Sequence, residues 1–196
     1  MRLLSLRKPV RAREPLAVTM TGVRMGERVL QIGMTDASLT GVLSAKPGLS
    51  GHAAIAVASD DAANRARRAC ENAGVLVDIQ VTPLDAFAHD GPPLDAVIVH
   101  AGDSGVAALS IEGRTEMLTR CWHALRTGGR VVTIESLPKS GLAGLLGRSV
   151  PASSAHWMEE ARAAGFHLAR VLGEGEGFRF VEGLKRAHSP GQPVRP

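Results

Sequence analysis

The apolar run DAVIVH ends on His100, and Asp103 follows in the same loop, HAGD. In an open α/β sheet the ends of the strands face the ligand crevice. A histidine there can serve as general base for a hydroxyl or phenol, with a nearby carboxylate in support. The plainer reading is a hydrogen-bonded cleft histidine that moves no proton. Glu135 closes the run RVVTIE and points to the same mouth, although a carboxylate at that place is more often structural. The seven histidines include no H-x-x-x-H pair and have no cysteine companion, so no metal site is expected. Cys70 and Cys121 show no C-x-x-C spacing, which fits buried free thiols.

Those side chains need a scaffold, and the chain has the length for one. Its 196 residues, 44% hydrophobic, are enough for a single domain with its own core. No apolar stretch reaches the roughly 18 residues of a membrane span, and the start lacks the pattern of a secretory signal. The expected location is the cytoplasm. A formal charge of +4 raises the question of nucleic acid. Eight of the 23 basic residues lie in residues 1–13 and 185–196, which hold no acid, leaving 15 against 19 acids between them. The body is therefore mildly acidic. With few aromatic residues and no basic face, no specific nucleic-acid partner is expected. The reading is a basic N-terminal arm over 1–13, a domain over 14–184 and a flexible tail over 185–196.

Within the domain, Val- and Ile-rich runs alternate with helix-period segments, the mark of a parallel sheet covered on both faces. A leading helix is predicted over 15–24, then strands over 28–33, 53–58, 75–81, 95–100 and 130–135. Helices fall at 38–45, from Asp60 or Asp61 to Gly74, at 115–126 and at 155–164. Residues 167–172 and 178–184 read as a terminal hairpin around Gly-Glu-Gly-Glu-Gly. GLAGLLG at 141–147 reads either as a lid over a substrate or as a surface loop.

On these strands, VLQIGMTDASLTG resembles the first motif of the class I S-adenosylmethionine-dependent methyltransferases, V-L-D-I-G-C-G-T-G-x-L-T. LDAVIVH and LRTGGRVVTIE resemble the fourth-strand motif and the L-K-P-G-G-R-V-V-x-x-E segment. The subfamily suggested is the ubiquinone and menaquinone biosynthesis type, methyltransferase type 11. The resemblance implies an α/β three-layer Rossmann-like sandwich with a mostly parallel seven-stranded sheet in order 3-2-1-4-5-7-6, ending in an antiparallel hairpin. It implies S-adenosylmethionine as cofactor and methyl transfer to a small-molecule acceptor. It places the cofactor against Gln31, Gly33, Thr35, Ala58, Ser59, Asp85 and His100, with His100 and Asp103 as the catalytic pair. The loop HAGD lacks the Asn-Pro-Pro-Tyr type of motif that related enzymes use on amide or base nitrogens.

The chain departs from that family where the cofactor is touched. Gln31 stands for the first-motif acid, and Thr35 and Ala37 stand for its second and third glycines. Ala58 takes the place of the ribose-binding acid, unless Ser59 or Asp60 turns in to replace it. Asp85 fits the adenine position if the loop is shorter by two residues; an ungapped match gives Pro83. A β-branched Thr35 held at positive φ would cost about 1–2 kcal/mol. The loss of the ribose carboxylate removes about 1.5–3 kcal/mol of charge-assisted hydrogen bonding. The alternative reading is a non-catalytic member that binds cofactor weakly or not at all and serves as a partner or regulatory subunit.

Overall fold

The structure is a computed structural model and describes residues 15–137 and 154–186. Seven strands form one sheet in the order β3-β2-β1-β4-β5-β7-β6. They are β1 (Arg28–Ile32), β2 (His52–Val57), β3 (Asp78–Val81), β4 (Leu94–His100), β5 (Leu125–Ser136), β6 (Leu168–Gly175) and β7 (Phe178–Leu184). The first five pair in parallel; β7 enters antiparallel between β5 and β6. The expected architecture and strand order are those observed.

Alternation along each strand divides the core in two. Leu30, Ile32, Val97, Val99, Val131 and Val181 face α4 (Ser104–Ala107), α5 (Ile111–Ala124) and α6 (Ser154–Ala163). On the other face, Val29, Ala96, Ile98 and Val132 meet α1 (Leu16–Thr21) and α2 (Ala37–Ala45), while Ile55 and Val57 meet α3 (Asp60–Asn72). The side of α3 against the sheet is Ala62, Ala63, Ala66, Ala69 and Cys70, all buried. Small residues there let the helix lie close.

Several boundaries differ from expectation for local reasons. β5 begins at Leu125, so LRTGG is strand where a helix end was expected. Leu125 has φ −75° and ψ 144°, and helix α5 has already stopped at Ala124. β3 is shorter than predicted, because Gly74 and Val75 are still closing α3 through hydrogen bonds to Glu71 and Cys70 carbonyls. α1 stops at Thr21, capped by Gly22 in the left-handed region. The N-cap of α3 is Ser59, whose hydroxyl accepts from Ala62 N, rather than Asp60 or Asp61. The hairpin turn is Glu176–Gly177, both at positive φ (52° and 80°), the two-residue geometry that matches strand twist. Lys185, read as tail, is held to the sheet: its Nζ donates to the Leu125 carbonyl at 2.6 Å and lies 4.3 Å from the Trp122 ring centre. The N-terminal arm, the 141–147 segment and the tail beyond Arg186 lie outside the described residues. No described helix is long and apolar enough to cross a membrane.

Candidate functional site

The strand order places β1 between β2 and β4. The connection after β1 leads to α2 on one face, and the connection after β4 leads to α4 on the other. Their divergence at the carboxyl ends opens a crevice, the point where ligands bind in open α/β sheets. Gly33 turns the chain there at φ 73°, a conformation that strains any side chain, and its N–H donates to Ala56 O. Thr35 does not share that strain. Among the described residues Glu176 is the one non-glycine at positive φ, so the expected penalty at Thr35 is absent.

His100 is fully buried and both ring nitrogens have partners. Nε2 lies 3.0 Å from Gln31 Oε1, and Nδ1 lies 3.3 Å from Thr35 Oγ1. The Gln31 amide donates to the Thr40 carbonyl at 3.1 Å and to Ser44 Oγ at 2.8 Å, which leaves its oxygen facing the imidazole. His100 therefore carries its proton on Nε2, and Nδ1 accepts from Thr35. Burial lowers its pKa to about 4, against the pull of the Asp103 and Asp36 carboxylates. It is a neutral pin across β1, β4 and α2. Sequence reasoning missed the extension of this network to Cys70, whose thiol donates to Ser44 Oγ at 3.5 Å and is raised in pKa by burial.

Asp103 is also buried, with three backbone donors on one carboxylate. Oδ2 accepts from Met34 N at 3.0 Å; Oδ1 accepts from Gly105 N at 2.8 Å and Val106 N at 3.3 Å. It caps α4 and ties that turn to the first loop. A Cβ at Gly33 would lie 2.7 Å from Asp103 Cβ, and one at Gly105 would lie 2.7 Å from Ala58 Cβ. The β4–α4 turn thus sits in the crevice, with Asp103 over Gly33 and Gly105 against Ala58. Gly105 and Met34 were not singled out in the sequence. The Asp-Ser-Gly run after β4 is an N-cap signal that points to Gly105, whereas Met34 is 69 residues from Asp103 and has no local signal.

The remaining expected site residues surround this turn. Thr35, Ala58 and Ser59 are exposed at its rim, Ser59 with its hydroxyl engaged as the α3 cap. Asp85 is half-buried against α5, its carbonyl accepting from Arg120 Nε at 2.7 Å, and its Oδ2 is 3.6 Å from where a Gly113 Cβ would stand. On the same face of the sheet, toward α6, Glu135 is buried with Oε2 lacking a partner, and burial raises its carboxyl to about 7 despite Arg179 nearby. No group of metal-ligating side chains assembles among the described residues.

Solved structures with this architecture are known. The chain aligns with the S-adenosylmethionine-dependent methyltransferase SibL at 20% identity and TM-score 0.65, covering 88% of this chain and 54% of SibL. It aligns with a SAM-dependent methyltransferase from Aquifex aeolicus at 16% identity and TM-score 0.65, covering 86% and 87%. PigF, solved with S-adenosylhomocysteine, aligns at 19% identity and TM-score 0.59, covering 81% and 50%. The fold is that of the class I methyltransferases. This chain spans little more than half the length of SibL. No family model matches the sequence, and no curated protein matches it.

The neighbours' cofactor can be tested against the crevice of this methyltransferase fold. The turn at Gly33 and the diverging connections suit it. The Met34 N–H, however, is taken by Asp103, the space over Gly33 is filled, and Ala58 offers no carboxylate. With the β4–α4 turn in this position, that amide and the space over Gly33 are closed to a ligand.

Proposed function

We propose that the chain is an S-adenosylmethionine-dependent methyltransferase acting on a small-molecule acceptor in the cytoplasm, with its cofactor groove closed by the β4–α4 turn. The switch-point crevice at Gly33, in the strand order shared with methyltransferases, carries this reading. Gln31, Gly33, Thr35, Ala58, Ser59 and Asp85 border the groove, and opening it requires the turn to withdraw. In this reading His100 and Asp103 act by position. The imidazole holds Thr35 and Gln31, and the carboxylate sets whether the groove is open; neither ring nitrogen is free to take a proton from an acceptor.

The threefold use of Asp103 favours a second reading, a scaffold without catalysis that binds cofactor weakly or not at all and serves a partner protein. Calorimetric titration with S-adenosylmethionine and S-adenosylhomocysteine separates the two. Dissociation constants below about 100 µM are expected for the enzyme. Absence of both heat and thermal shift at millimolar ligand selects the scaffold.

A further inference from the structure

The amino-terminal halves of β1, β2 and β3 carry a second concavity, on the face opposite α2 and α3. A parallel crossover is usually a helix, yet residues 82–93 between β3 and β4 form none. Leu84 and Phe87 pin this connection to the core, and residues 88–91 arch over the sheet. Beneath them is a groove of about 340 Å3, within the size range of small-molecule sites. Leu30 and Ala54 give it an apolar floor, and Arg28, His52 and His89 stand around that floor.

Arg28 is the unusual member. Its backbone N–H donates to Asp95 Oδ2 at 2.7 Å, so its place on β1 is fixed. The other oxygen of Asp95 is engaged by Arg126, whose Nε lies 2.6 Å from Oδ1. The Arg28 guanidinium makes no ion pair among the described residues, and its Nε is sealed from solvent with no hydrogen-bond partner. A buried donor left unpaired is costly and uncommon in native proteins. A Cβ at Gly91 would stand 3.9 Å from Arg28 Nη2 and 3.1 Å from the His89 ring, so the arch comes closest where it has no side chain.

We propose that this groove binds a small organic anion, a carboxylate or phosphate monoester on an apolar body, with its anionic group on Arg28. The planar guanidinium fork matches either anion, and the carbon body lies over Leu30 and Ala54. His52 is 3.3 Å from Asp78, and Asp90 stands on the wall. These two acids oppose polyanions, which selects a ligand with one anionic group. The site is separate from the Gly33 crevice and does not depend on cofactor binding there.

The test titrates the full chain with benzoate, phenyl phosphate and neutral benzamide, followed by calorimetry and by amide chemical shifts. At least one anion is expected to bind with a dissociation constant below about 1 mM, shifting the amides of Arg28, His52 and Gly91, while benzamide does not bind. The better of the two anions identifies the head group. Arg28→Gln should weaken that binding at least about tenfold while moving the Tm by no more than about 1 °C, since the guanidinium has no internal partner to lose. Arg28→Lys, which keeps the charge without the fork, should fall between. Failure of both anions at about 10 mM, equal binding of benzamide, unchanged affinity in Arg28→Gln, or shifts confined to other residues would overturn the proposal. Should Arg28→Gln fail to fold, the wild-type shift map and Arg28→Lys decide.

Discussion

The two ends of β1 treat their polar groups in opposite ways. At the carboxyl end, Gln31, His100 and Asp103 are buried and spend their hydrogen bonds on the protein itself. At the amino end, Arg28 is left with an unpaired buried nitrogen beside open volume. A ligand at the first place must displace contacts the protein already makes; at the second it would meet a guanidinium that forms no ion pair among the described residues. Cleft residues at the carboxyl end thus contribute mainly to stability, whereas the amino end gives up stability for an unfilled contact.

The most direct way to break this comparison is to delete one polar side chain from each end. His100→Ala should cost about 2–4 kcal/mol in denaturant unfolding, because it opens a cavity and leaves the Gln31 oxygen unpaired. Arg28→Ala should stay within about 0.5 kcal/mol of wild type; equal losses would erase the distinction. Asp103→Ala comes next. It should cost about 1–2 kcal/mol through the lost cap of α4, and it should tighten S-adenosylhomocysteine binding about tenfold if the turn is what closes the groove. A loss of stability with no gain in affinity would show that the turn is not the barrier. Ala58→Asp should then tighten binding by up to about tenfold in the opened protein, as a restored ribose carboxylate would. Unchanged affinity would remove position 58 from the ribose site.

The smallest effect is a pH slope. His100 is held down to about 4, so the folded state binds fewer protons than the unfolded one between there and its ordinary 6.5, and stability rises with pH across that window. Glu135 is held up to about 7, so the folded state binds more protons from its ordinary 4.5 upward, and stability falls with pH across that range. The two oppose each other between about 4.5 and 6.5. Glu135→Gln should uncover the histidine slope, rising by at most about 1.4 kcal/mol per pH unit, and His100→Phe should reverse it. Urea unfolding at a series of pH values reads both.

The sheet was legible because its signals are local. AAIAVA, DAVIVH and RVVTIE are short β-rich runs between turn residues, and the glycine and glutamate run before Phe178 announces the hairpin. The start of β5 was not legible, since LRTGG has no strand composition: Leu125 pairs with Leu94 of β4, residues 126–129 form an irregularity, and Gly128 and Gly129 bond to Lys185 beyond β7. The site was harder to read for the same reason. His100 and Gln31 were both singled out, but their meeting depends on the register that sets Gln31 beside Ile98, two residues short of His100. Asp103 was visible as an acid in a cleft loop. Its three amide partners, one of them 69 residues away in sequence, were not.

The position of β7 carries a consequence for how the chain comes together. It is the last of the described strands in sequence, yet it lies inside the sheet, and it pairs along one side of β5. During synthesis the first five strands can assemble while that side of β5 stays open, a bare row of backbone donors and acceptors inviting any other strand. Completion waits for residues 178–184 to leave the ribosome and slot in before a neighbouring chain does. Truncation or slow translation ahead of the hairpin should therefore produce aggregates rather than a smaller soluble domain.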